Sequence, residues 1–152
     1  MQHFKIHELV DRAHFDQFGE KCWDYFNSNF LQALDDLVDF FSDLANDYCP
    51  VVVNNWHSGG PYQLRGMRTL AQAVQQGAPH SEHRYDPDPN NTHLVNAADC
   101  TIGKYSAEEA RRIIKSHQEH ALLNRIMRLE GKVSWNHIDC KPIENRIYIF
   151  TA

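Results

Sequence analysis

From Asn29 to about Tyr48 the apolar residues Phe30, Leu34, Leu37, Val38, Phe41, Leu44 and Ala45 recur at steps of three and four, which places them on one face of a helix. The opposite face carries Asp35, Asp36, Asp39 and Asp43 and reads as solvated. Pro50 stops this helix, and the β-branched residues that follow predict a buried strand from Cys49 to Asn54. Gly59, Gly60 and Pro61 mark a loop, and Gly66 a turn before a short helix from about Met67 to about Gly77. The proline and asparagine cluster from Asp86 to Asn91 is loop, and the strand beyond it runs through Ala97, Asp99 and Thr101. Ser106 with Glu109 forms a capping-box pattern that opens a helix to about Asn124. Three strands close the chain, Ile126 to Glu130, Val133 to Cys140 and Arg146 to Phe150, with turns at Gly131-Lys132 and from Pro142 to Asn145. Helices first and an antiparallel meander last predict an α+β fold, with a central antiparallel sheet flanked by helices.

The bulk numbers narrow the class. At 152 residues, 42% hydrophobic and 23% charged, the chain is long enough for one domain with its own core. A formal net charge of -5 and the absence of a Lys or Arg run argue against a nucleic-acid surface. No apolar run is long enough to span a bilayer, and MQHFKIHELV lacks the order of a secretory signal, so membrane insertion is not expected and the chain is expected to be made as a soluble intracellular protein. Cys22, Cys49, Cys100 and Cys140 form no CxxC pair and read as buried thiols.

Candidate chemistry gathers in SEHRYDPDPNNTHLVNAAD, residues 81–99, and in WNHID, residues 135–139. His83, His93, Asp99 and His137 are all metal-ligating types, and two His with one carboxylate would leave a fourth zinc position open for water. Three His compete for two places. On a strand Trp135, His137 and Asp139 share a face, so Asp139 is either the partner that orients His137 or a base. Trp56 and Tyr62, beside the glycine loop, are candidates for a cleft wall or for the core.

A strand ending in NNW, a GG loop, an RGMR turn, an SxH, an AAD on a strand and a late WxHxD occur in one order over nearly the whole chain. This arrangement resembles the M15 family of zinc D-Ala-D-Ala carboxypeptidases and endolysin peptidases, of the hedgehog/DD-peptidase fold, and most of all its small phage-encoded members. The family pattern SxHxxGxAxD maps onto Ser81 to Tyr85 and Val95 to Asp99, with a loop inserted between them and Val95 in place of the glycine. The resemblance implies Zn2+ held by His83, Asp99 and His137. Ser81 and the approach Gly77-Ala78-Pro79 favour His83, while His93, six residues before Asp99, remains the alternative, with a lid over the site as its other role. The resemblance further implies Glu130 as general base ahead of Asp139, Arg68 as the arginine that grips substrate, and peptidoglycan stem peptides as substrate.

Such a peptidase would meet the wall by lysis-linked release or as part of a virion. The replaced glycine, the inserted loop and the displaced base are features a non-catalytic phage virion, tail or wall-binding protein of the same fold would carry.

Overall fold

The computed structural model describes residues 1–90, 92–144 and 146–151; Asn91 and Asn145, both expected in turns, lie outside them. Ahead of the long helix, where the sequence assigns no element, the chain forms a 3-10 turn at Ile6–Glu8, helix α1 (Arg12–Phe18) and a second 3-10 segment at Gly19–Tyr25. Then follow α2 (Ser28–Ala45), β1 (Val51–Val52), β2 (Arg68–Thr69), α3 (Leu70–Gln75), β3 (Arg84–Tyr85), β4 (Ala97–Ile102), α4 (Ala107–Ser116), β5 (Arg128–Glu130), β6 (Asn136–Asp139) and β7 (Tyr148–Phe150). The fold is α+β. Five strands make one sheet in the order β1-β4-β6-β5-β7, and β2 pairs with β3 apart from it. One core cluster joins residues from Phe4 to Ile147, as expected of a single domain.

Helix α2 forms where its periodicity places it, and Phe30, Leu34, Leu37, Val38 and Phe41 are buried. Its acidic face is solvated as expected only at Asp43 and, in part, at Asp39. Asp35 and Asp36 are buried, because each has a partner far away in sequence. Asp35 accepts the backbone N–H groups of Gln2 and His3 at 2.8 and 3.1 Å, and Asp36 pairs with Arg125 at 2.7 Å. Buried carboxylates persist only when so compensated.

Three further expectations are corrected by backbone hydrogen bonding. The helix near Met67 starts at Leu70, because Met67 N–H donates to Leu9 O and Arg68 N–H to His83 O. Helix α4 keeps its Ser106–Glu109 capping box but stops at Ser116; beyond it the His120 N–H donates to His117 O in a turn, and Arg146 takes the carbonyls of Gln118 and Leu123. The last three strands are no antiparallel meander: β5 and β6 pair antiparallel, but β7 crosses over to pair parallel with β5. Cys22, Cys49 and Cys100 are buried, Cys140 is half-buried, and all four are free thiols. No helix among the described residues is long and apolar enough to cross a membrane.

Alternation divides the residues of the sheet between two faces. Ala98, Cys100, Leu129 and Ile138 point into the core. Asp99, Arg128, Glu130, His137, Asp139 and Phe150 lie on the other face, where a cleft opens.

Leu34→Ala, at a fully buried position, is expected to lower the unfolding free energy by about 2–5 kcal/mol. Leu44, which the periodicity also puts on the apolar face, is 45% exposed, and Leu44→Ala is expected to change it by less than about 0.5 kcal/mol. Urea denaturation of the two variants checks the contrast.

Candidate metal centre

Register brings the first two candidate ligands together. Strands β4 and β6 run antiparallel with Asp99 directly opposite His137, and His137 Nδ1 lies 3.0 Å from Asp99 Oδ1. The third comes from the segment just before β3. His83 is 2% exposed, with Nε2 at 3.2 Å from His137 Nδ1 and 3.4 Å from Asp99 Oδ1. Three ligand atoms on a tetrahedral zinc, at bonds of 2.0–2.1 Å, stand about 3.3 Å apart. The triangle of 3.2, 3.0 and 3.4 Å therefore fits one face of that tetrahedron, and His83, Asp99 and His137 could hold a metal ion.

Each histidine is aimed by its other ring nitrogen. His83 Nδ1 lies 2.9 Å from Gly66 O, a donor to that carbonyl in the tautomer that leaves the Nε2 lone pair facing the cluster. That carbonyl is available because Gly66 passes against Leu9, where a Cβ would sit 2.0 Å from Leu9 O. Only glycine permits this approach. His137 Nε2 lies 3.1 Å from Asp139 Oδ2, which sends Nδ1 to the centre. Asp99 is steadied by Arg68, whose Nη2 donates to Oδ2 at 3.0 Å, and by its own N–H, which donates to Arg65 O at 2.7 Å.

The electrostatics of the metal-free cluster follow from this packing. Burial pushes the His83 imidazole down, against the pull of Asp99. Burial also opposes charge on His137, but its hydrogen bonds to Asp139 and Asp99 and their negative charge outweigh that and push it up to about 9. Asp99 and Asp139 are held below their ordinary range: burial works against ionisation of both, and the neighbouring histidines, with Arg128 beside Asp139, overcome it. Cys100 and Cys140, next in the chain to Asp99 and Asp139, stand outside the cluster, with Cys100 in the core and Cys140 packed against it, and burial raises both thiols, Cys140 to about 12.

The other candidates have distinct places. His93 is outside the cluster and does not line the cleft. It exchanges backbone hydrogen bonds with Asp86 at 2.9 Å each way, sets Nδ1 on Arg84 O at 2.7 Å, and so closes the neck of the inserted loop. Asp139 is fully buried and its oxygens are taken up by His137, Arg128 and the Lys141 N–H, which is the orienting role and not that of a base. Glu130 lies on the wall of the cleft, a cavity of about 350 Å³ that also takes in Glu82, Arg128, Trp135, Lys141 and Phe150. Arg68 lines it too. Trp56 and Tyr62 belong elsewhere: the Trp56 indole donates to Val10 O and packs on Phe15, and Tyr62 lies under the Arg65 guanidinium.

Sequence reasoning missed Arg128, Glu82 and Lys141. Glu82 pairs with Lys141 at 2.9 Å on the cleft wall. Arg128 stands opposite Asp139 in the β5–β6 pair, a favourable cross-strand charge pair, but the tight turn expected at Gly131-Lys132 sets it opposite Trp135 instead.

Zinc bound by the wild-type protein is expected to be lost in His83→Ala and in His137→Ala and retained in His93→Ala, as read by metal analysis of the purified proteins. In the metal-free protein at neutral pH His137 carries its proton, while His83 and Asp99 are already deprotonated. One proton must leave as the metal enters, so apparent zinc affinity is expected to rise about tenfold per pH unit through neutrality and to level off as the pH passes about 9. Competition with a chromophoric chelator across pH measures that slope.

No protein-family model, curated protein or solved structure matches the chain, so the reading of its function rests on the geometry of this cluster and on the motif resemblance.

Proposed function

We propose that the chain is a zinc-dependent peptidase that hydrolyses peptide bonds in the stem peptides of peptidoglycan, as a D-Ala-D-Ala carboxypeptidase or an endolysin-like endopeptidase of M15 type. The observation that carries the proposal is the triangle of His83 Nε2, Asp99 Oδ1 and His137 Nδ1, at the spacing of zinc ligands and opening on a cleft that holds a further carboxylate. Two neutral imidazoles and one carboxylate are the donor set of a hydrolytic zinc that keeps a position for water. A zinc ion in that triangle would supply a Lewis acid and an activated water at neutral pH.

The remaining roles fall to side chains on the cleft wall. Glu130 takes the proton of the attacking water and hands it to the leaving amine, which suits a half-buried carboxylate beside the ligands. Arg68 offers a planar fork suited to the scissile carbonyl or a substrate carboxylate, while its Nη2 fixes Asp99. Asp139 keeps His137 in the tautomer that frees Nδ1. The choice of peptidoglycan comes from the motif resemblance, and the same resemblance suggests delivery to the wall by lysis or on a virion.

Release of amino groups from purified peptidoglycan tests the proposal. The zinc-loaded protein is expected to release them, and Glu130→Gln to lose about 10²–10⁴ in turnover while keeping its zinc. Unchanged turnover in Glu130→Gln removes it as the base. Zinc binding by the wild type without any cleavage favours instead a wall-binding or virion component that retains the fold.

A further inference from the structure

Arg128 is, among the described residues, a cation on the cleft face whose contacts lead back to a candidate metal ligand through another side chain. Its Nε donates to both oxygens of Asp139, at 2.9 and 3.0 Å, and its Nη2 lies 2.7 Å from Oδ2. Asp139 has no solvent exposure, so it cannot reorient into water. A carboxylate gripped by a guanidinium fork has its plane fixed, and with it the direction in which its remaining lone pairs point. Here they point at His137 Nε2, 3.1 Å from Oδ2.

A second contact acts on the same imidazole from the side. The Arg128 guanidinium stands 5.1 Å from the centre of the Phe150 ring, and Phe150 meets the His137 ring edge to face at 5.5 Å and 88°. The cation favours the face of that aromatic ring. His137 is thus held at its rear nitrogen by Asp139 and along its flank by Phe150, and both holders are themselves in contact with Arg128. Arg128 approaches none of the three ligand atoms, in contrast to Arg68, which donates directly to Asp99.

We infer that Arg128 is the positioning residue of the metal centre: by gripping Asp139 and seating Phe150 it sets the His137 ring so that Nδ1 meets His83 Nε2 and Asp99 Oδ1. The inference rests on reading the cluster as a metal centre. Simple stabilisation would give Arg128 a different signature: losing one partner of a buried ion pair costs stability but by itself carries no message to the ligand field of the metal. The rival role for a cleft-lining arginine is direct contact with substrate. Measurements made without substrate separate the two.

The test compares Arg128→Met, Arg128→Lys, Asp139→Asn and the double variant Arg128→Met/Asp139→Asn in the full chain. Zinc dissociation constants come from chelator competition, and the visible absorption of the cobalt(II) form reports the ligand field. Arg128→Met is expected to weaken zinc binding about 10–100-fold and to shift the cobalt bands. Arg128→Lys, which keeps the charge and loses the fork, is expected to lie between it and the wild type. The double variant is expected to lose less zinc affinity than the product of the two single losses, since the arginine acts largely through that carboxylate.

Wild-type zinc affinity with unshifted cobalt bands in Arg128→Met overturns the inference, as do losses that multiply in the double variant. If Arg128→Met does not fold, as judged by circular dichroism, Arg128→Lys alone and combined with Asp139→Asn decides by the same comparison. A wild-type protein that binds neither zinc nor cobalt overturns the metal centre and this inference with it, whereas wild-type binding with an indifferent Arg128→Met removes the inference alone.

Discussion

The pairing of β4 with β6, which sets Asp99 opposite His137, is the constraint on which the cleft depends. A slip of β6 by one residue would turn His137 towards the core and bring Ile138 out in its place, because the side-chain period of a strand is two. The core residues on the reverse face enforce the register: Ala98, Cys100 and Ile138 are fully buried, and the strands cannot move without exposing them. The apolar side of the sheet therefore fixes the geometry of its polar side. His83 is then added from a separate segment, tied in by the Arg68 N–H on the His83 carbonyl and by the close passage of Gly66 against Leu9.

Much of this was legible in the sequence because it depends on local signals. The three and four residue spacing of α2, the capping box of α4 and the alternation around His137 each specify an element from a few neighbouring residues. Asp99 and His137 could be named as candidates because both lie on strands that a local pattern predicts. The choice between His83 and His93 was harder, since nothing local to either tells which faces the strand pair.

What the sequence could not give depends on partners far along the chain. The burial of Asp35 and Asp36 follows from the N-terminal backbone and from Arg125, 33 and 89 residues away. The parallel pairing of β7 with β5 depends on a crossover that no strand pattern announces. The segment beyond the end of α4 at Ser116 is tied to Arg146, which reaches back to the carbonyls of Gln118 and Leu123. In each case partners from elsewhere in the chain bear on a feature that local propensity leaves open.

The neck of the loop that opens at Asp86 and returns at His93 is closed by the backbone, apart from the cluster of His83, Asp99 and His137. Asp86 and His93 are joined by two backbone hydrogen bonds, so the chain leaves and re-enters the body of the protein at adjoining points. Between those points its length can change at small entropic expense, and none of the described residues from Pro87 to Thr92 lines the cleft or belongs to the cluster. The segment after Asp86 is thus a natural graft point, where a peptide tag or a binding sequence can be spliced in while the ligand triangle stays as it is.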